Sequence, residues 1–238
     1  MIKPTRKAPN LVLPTVYHGE FNLFNEDPKN FTMVVFIRGL HCPLCINYLK
    51  ELTTFLPTLN DLGVDYIISS ADDKTRATQM LQKVGSTELR FAYNLDIEKA
   101  KEWDLYISKG RGKTSIGVEE LDYFPEPGLF LIKPDKTIFS AYIQSMPFAR
   151  PQIKDLVNSL IADLARIQIR EKLLNPIMTM LPSLFGGNPN VDVESNMGGG
   201  FTGMGARAGG IDGKGGFLSI LHPNETVIDH QQGQSGGV

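Results

Sequence analysis

Cys42 and Cys45 are the only two cysteines in 238 residues, and just Pro43 and Leu44 separate them. Proline suits a first helical position, so the spacing places both thiols in the opening turn of a helix. There the free backbone N–H groups and the helix dipole favour a thiolate over a thiol, and the thiolate is the reactive form. At least one of the pair is expected to titrate below the roughly 8.5 of a free cysteine. An i, i+3 pair can also close a disulfide within one turn, so an oxidised sulfur on one cysteine can be resolved by the other. The result is a reversible dithiol/disulfide couple. His41 beside the motif and Arg38 three residues further back are candidates for adding positive charge.

Other readings of these residues are weaker. A zinc site needs a second cysteine pair or closely spaced histidines, and His18, His41, His222 and His230 are scattered. Two buried structural cysteines remain the plain alternative, since free Cys packs as a small hydrophobe. Gly110-Arg-Gly-Lys-Thr-Ser115 sounds like a phosphate-binding loop, but Ile107 stands where its first glycine belongs, and the segment follows a helix rather than a strand. It reads instead as a basic loop whose Arg111 or Lys113 could approach the site. Trp103, at helical spacing from Ala100, reads as core.

The elements around the motif follow from periodicity. Phe31 to Ile37 is almost wholly apolar, as a strand buried on both faces must be. Leu49, Leu52, Phe55, Leu56 and Leu59 then recur with helical spacing up to Gly63, with Pro57 expected to bend or end the helix. Val64 to Ser69 is the next strand, Asp72 is expected to cap a helix closing at Gly85, and Phe91 to Leu95 is a third strand before a helix through Ala100, Trp103 and Leu105. A loop from Ser108 to Pro127 leads to Leu129–Ile132, and Lys133-Pro-Asp-Lys136 turns the chain into a strand over Thr137–Ile143. A final helix begins near Pro151 with Ile153, Leu156, Val157, Leu160, Ile161, Leu164 and Ile167 on one face. Parallel βα units followed by an antiparallel hairpin and a last helix predict an α/β, thioredoxin-like sheet flanked by helices.

Composition sets the class. With 42% hydrophobic residues, 21% charged and a net charge of -2, the chain is globular in character and carries no broad attraction for nucleic acid or anionic membrane, so neither is expected as a partner. No apolar run approaches the roughly 20 residues of a membrane span. The basic first ten residues are followed by no signal-peptide core. Two cysteines in one motif make no disulfide scaffold, so a reducing, cytoplasmic setting is expected.

Phe36-Ile-Arg-Gly-Leu-His-Cys-Pro-Leu-Cys45 resembles the active-site segment of the alkyl hydroperoxide reductase/thiol-specific antioxidant family, especially a peroxiredoxin-like branch with an Arg-Gly-x-x-Cys-Pro-x-Cys signature. Ile107 to Gly117, Glu126 to Asp135 and Ser145-Met-Pro-Phe-Ala-Arg-Pro151 are similar to that branch in the same order. The resemblance implies a thiol-dependent oxidoreductase with no metal or organic cofactor. Its substrate would be a peroxide or a disulfide, and its reductant a thiol such as thioredoxin or glutathione. Measured against peroxiredoxins, Cys45 takes the peroxidatic position, Cys42 replaces a Thr, and Arg38 replaces a Pro. Pro127 stands near the place of a strand-initial Arg, closer to the cis-Pro that faces the cysteines of thioredoxins, so a cis Glu126–Pro127 bond against the pair is expected. By thioredoxin analogy Cys42 attacks, and by peroxiredoxin analogy Cys45 does. Both remain open at the level of sequence.

The resemblance covers residues 1–153. Residues 154–185 read as an amphipathic helical extension and 186–238 as a Gly-rich, disordered tail with too few large apolar residues to form a core. Ser159 to Arg170, Leu174 to Ile177 and Gly209 to Ile228 resemble the end of phage tail tape-measure proteins. The rival reading is therefore a structural tail-assembly protein without enzymatic role.

Overall fold

The computed structural model describes residues 2–169. The expected Gly-rich tail, and the larger part of the tape-measure-like segment, lie outside these residues.

A five-stranded sheet forms the centre. Its strands are β3 (Phe31–Phe36), β4 (Val64–Ser69), β5 (Phe91–Ala92), β8 (Gly128–Ile132) and β9 (Ile138–Ile143), in the order β5-β4-β3-β8-β9. β3, β4 and β5 run parallel, whereas β8 pairs antiparallel with both β3 and β9. Two short antiparallel hairpins stand outside it, β1 (Val12–Pro14) with β2 (Glu20–Asn22) and β6 (Ile107–Lys109) with β7 (Tyr123–Pro125). The helices are α1 (Pro43–Asp61), α2 (Lys74–Val84), α3 (Ile97–Glu102) and α4 (Ile153–Ile169).

The continuous apolar run of β3 is explained by two cores, one on each face of the sheet. Phe31, Met33 and Val35 alternate into a core with α1, α2 and α4, while Val34 and Phe36 enter the opposite core around Trp103. β8 divides in the same way, Leu129 and Leu131 to the first and Phe130 and Ile132 to the second. Trp103 is fully buried, its ring packed edge-on to Phe130 and tilted against Phe36, in keeping with its reading as core.

Three local expectations are corrected. The N-cap of α2 is Asp73, whose carboxylate accepts from the Arg76 amide at 2.8 Å. Asp72 is instead turned inward and fully buried. Of the two outcomes expected at Pro57, an end is corrected: α1 continues to Asp61, because the helix flank already buried through Leu49, Leu52 and Leu59 holds it on the sheet. The stretch 108–127 is not simply a loop: β6 and β7 pair across it, with Gly110 so close to the Leu121 carbonyl that a Cβ would stand 2.3 Å from the oxygen. Strands of three residues with charges and glycine between them carry too little periodicity to read in advance.

Candidate active site

The site begins where β3 ends. Ile37 donates its amide to Ser69 of β4 at 3.0 Å, and Gly39 then turns the chain with φ of +122°, a conformation that costs other residues strain. The turn is held from below by Asp72, whose Oδ2 accepts from the Leu40 amide at 2.7 Å and from the Ser70 hydroxyl at 3.2 Å. Asp72 Oδ1 in turn accepts from Arg76 Nε at 2.6 Å, so its buried charge is paired. Chain geometry after this turn places Cys42 at the N-cap of α1 and Pro43 in its first turn.

Cys42 and Cys45 are both free and buried, and they interact. The Cys42 sulfur accepts from the Cys45 amide at 3.3 Å. Cys45 has a second partner: Arg150, from the segment leading into α4, donates through Nη2 to Cys45 Sγ at 2.9 Å. Burial pushes the Cys45 thiol up, but the Cys42 S–H, the Arg150 charge and hydrogen bond, and the Arg38 backbone amide outweigh it and hold the thiol at about 6. Cys42 moves the opposite way. Its hydrogen bond to Cys45, together with burial, raises it far above the usual thiol range. The opposed shifts favour a single ionisation for the pair, on the Cys45 side.

The remaining expected residues separate. Arg38 directs its guanidinium not at sulfur but at carboxylates, Nη2 lying 3.4 Å from Glu120 and Nε 3.5 Å from Glu126, with the group 4.6 Å over the Phe124 ring. Only its backbone assists Cys45. His41 adds no positive charge: burial, then the Arg38 charge, lower it to about 4, and its ring packs 4.5 Å from Phe124 with both nitrogens unpartnered among the described residues. Pro127 lies at the site, but the expected cis bond is absent and the Glu126–Pro127 peptide is trans. The extended course explains it, since the Glu126 amide donates to Tyr106 O at 2.7 Å and the Pro127 carbonyl accepts from Gln144 at 3.0 Å, carrying the chain straight from β7 into β8. Of the 110–115 loop, Arg111 takes part through its amide, which donates to Glu120 at 2.7 Å.

Arg150 is a residue of the candidate site that no local sequence pattern assigns. It stood in view within the Met-Pro-Phe-Ala-Arg-Pro segment, yet 105 residues separate it from Cys45. The absence of an arginine at Pro127 was the available signal that a cation had to come from elsewhere. The Arg150 guanidinium also lies 5.1 Å over the Tyr48 ring, one turn along α1 from Cys45. Tyr48, Arg150, Pro127 and Gln144 line a water-sized pocket of about 10 Å³, with Val35 and Leu129 among its apolar lining.

A thioredoxin-type sheet with a dithiol at the start of its first long helix defines a thiol-dependent oxidoreductase. Residues 4–141 match the model of the AhpC/TSA family, and the chain belongs to that family. Solved structures agree on the fold. The chain is similar to the peroxidoxin BcpB of Mycobacterium tuberculosis at 12% identity and a TM-score of 0.53, covering 68% of this chain and 98% of that one. It is similar to a cysteine-to-serine mutant of peroxiredoxin 6 from Arenicola marina at 14% identity and a TM-score of 0.57, over 71% of this chain and 76% of that one. A reduced 2-Cys peroxiredoxin of Plasmodium vivax aligns at 16% identity and a TM-score of 0.55, over 71% and 84%. No curated protein matches the sequence significantly. Among the described residues, no helix is long and apolar enough to cross a membrane.

Proposed function

We propose that the protein reduces a hydroperoxide with Cys45 as the attacking thiolate and Cys42 as the resolving thiol. The observation that carries this reading is the Arg150 guanidinium on the Cys45 sulfur, with Nη2 at 2.9 Å, and the neighbouring Cys42 thiol, whose own ionisation is disfavoured, adds to it. Both stabilise negative charge there, so Cys45 is ionised near neutral pH and Cys42 is not. The Cys45 sulfur attacks one peroxide oxygen, the O–O bond breaks, and the other oxygen leaves as water or an alcohol. The sulfenic acid left on Cys45 is attacked by the Cys42 sulfur, which loses its proton as water departs and the disulfide forms. A thiol reductant of the thioredoxin or glutathione type then returns both cysteines to thiols, consistent with a reducing, cytoplasmic setting.

Disulfide exchange led by Cys42 is the weaker reading, since in the reduced pair the Cys42 thiol is held protonated and cannot make the first attack as a thiolate. Reaction with one equivalent of hydrogen peroxide separates the two. Cys42→Ser is expected to accumulate a sulfenic acid on Cys45, trapped by a dimedone-type reagent and located by mass spectrometry, whereas Cys45→Ser traps none. A sulfenic acid on Cys42 in the Cys45→Ser protein, formed at the wild-type rate, would overturn the assignment.

A further inference from the structure

Three polar groups at the pocket next to Cys45 have no hydrogen-bond partner among the described residues: the Tyr48 hydroxyl and the Nε and Nη1 of Arg150. Their atoms are buried, Tyr48 being only 9% exposed, so water does not serve them freely at the surface. Burying three such groups unpaired is costly, and groups of this kind in native structures call for an explanation. All three are donors, and all belong to residues that line one pocket. What the pocket lacks is an acceptor.

Resting on the peroxidase reading above, we infer that Tyr48 is a catalytic residue whose hydroxyl donates a hydrogen bond to the departing oxygen of a bound hydroperoxide. Its position follows from the helix. Cys45 and Tyr48 are i, i+3 on α1 and share a face, and the Arg150 guanidinium bridges them, donating to the sulfur at 2.9 Å and lying 5.1 Å over the phenol ring. A peroxide bound against Arg150 would present one oxygen to the sulfur that Arg150 already contacts and the other to Tyr48. As the sulfur–oxygen bond forms and the O–O bond breaks, the electron pair moves onto the distal oxygen. That oxygen leaves as ROH with the hydrogen of the attacked oxygen, and Cys45 remains as a sulfenate that takes a proton from water. Tyr48 keeps its own proton throughout. Burial, set against the nearby Arg150 charge, raises its phenol and so keeps it a donor. A donor fixed where charge develops stabilises the transition state without reorganising.

The ring and the hydroxyl have separable duties. The ring positions Arg150 by cation–π contact, and the hydroxyl serves the substrate. Tyr48→Phe keeps the first and deletes the second. Rapid-mixing oxidation of the full chain by hydrogen peroxide is expected to slow roughly 10- to 100-fold in Tyr48→Phe, the loss of one hydrogen bond to a charged group. The pH midpoint of Cys45 alkylation should stay near its wild-type value of about 6. Tyr48→Leu should lose rate and also shift that midpoint upward. A wild-type oxidation rate in Tyr48→Phe would overturn the inference, as would a slowing fully accounted for by a raised Cys45 midpoint. If wild-type Cys45 itself fails to form a sulfenic acid, the peroxidase reading falls. Normal wild-type oxidation with an unaffected Tyr48→Phe removes only the role of the tyrosine.

Discussion

Charge at one sulfur governs the chemistry at the scale of single residues. Arg150→Met keeps much of the side-chain volume and deletes the cation, so the Cys45 midpoint should rise from about 6 to a free-thiol value near 8.5 or above. The thiolate fraction at pH 7 would fall roughly 30-fold, and the rate of reaction with hydrogen peroxide with it, as stopped-flow measurement at pH 7 and pH 9.5 would show. At the higher pH much of the loss should be recovered. Stability responds to pH through the same group and through His41. His41 has a folded pKa of about 4 against 6.5 in the unfolded chain, so between those values the unfolded state holds the extra proton and stability falls on acidification. Cys45 acts in a higher window: its thiolate is favoured only in the folded state, so stability declines as pH drops from about 9 toward 6. Urea midpoints from pH 4 to 9 should therefore rise throughout, and His41→Leu should flatten only the portion below about 6.5.

For the elements around the site, the decisive contact is between the turn before α1 and the residue before the α2 cap. Asp72 ties the Leu40 amide, Ser70 and Arg76 together with no exposure to solvent. Removing its carboxylate leaves Arg76 uncompensated and a buried amide unpaired. Asp72→Ala is expected to lower the unfolding free energy by on the order of 3 kcal/mol in urea titration, and to slow Cys45 oxidation because the turn that sets Cys42 loses its anchor. A comparison shows what burial contributes: Lys101→Ala breaks an exposed pair with Glu98 on α3 and should shift stability by less than about 0.5 kcal/mol. Gly39 belongs to the same contact. A Cβ there would stand 2.5 Å from Asp72 Oδ2, so no side chain fits without moving the anchor.

The whole molecule depends on α4. Ile153, Leu156, Val157, Leu160 and Leu164 are buried in the core beneath α1 and α2, on the face of the sheet that carries the cysteines. At about 1.5–3 kcal/mol each, these five side chains together match the stability of an ordinary domain, roughly 5–15 kcal/mol. A chain ended after Gln152 should therefore fail to give a cooperative melting transition, whereas one ended after Phe185 retains all of α4 and should keep both its melting temperature and its thiol titration. Differential scanning calorimetry with an alkylation assay decides each case. Loss of thiol reactivity in the longer truncation would assign residues beyond 185 to the site.

Local pattern alone was enough for the strands β3, β4, β8 and β9, the helices α1 and α2, and the dithiol at a helix start, because each rests on spacing within a dozen residues: apolar runs, i, i+3 and i+4 stripes, a glycine stop. That the chemistry is thiol-based was equally legible, since the pair and its proline are contiguous. Which cysteine the surroundings favour as the thiolate depends on tertiary structure. The deciding cation, Arg150, comes from a segment 105 residues away, and no local rule joins the two. Folding also reversed the roles suggested by proximity: His41 and Arg38 adjoin the motif, yet one is packed neutral against Phe124 and the other is drawn to Glu120 and Glu126. Asp72 moved likewise from expected helix cap to buried anchor. Sequence spacing fixes the direction of a side chain only within its own helix or strand. Between elements, the direction is set by which face packs and by what charge lies opposite, and those are settled only when the sheet closes.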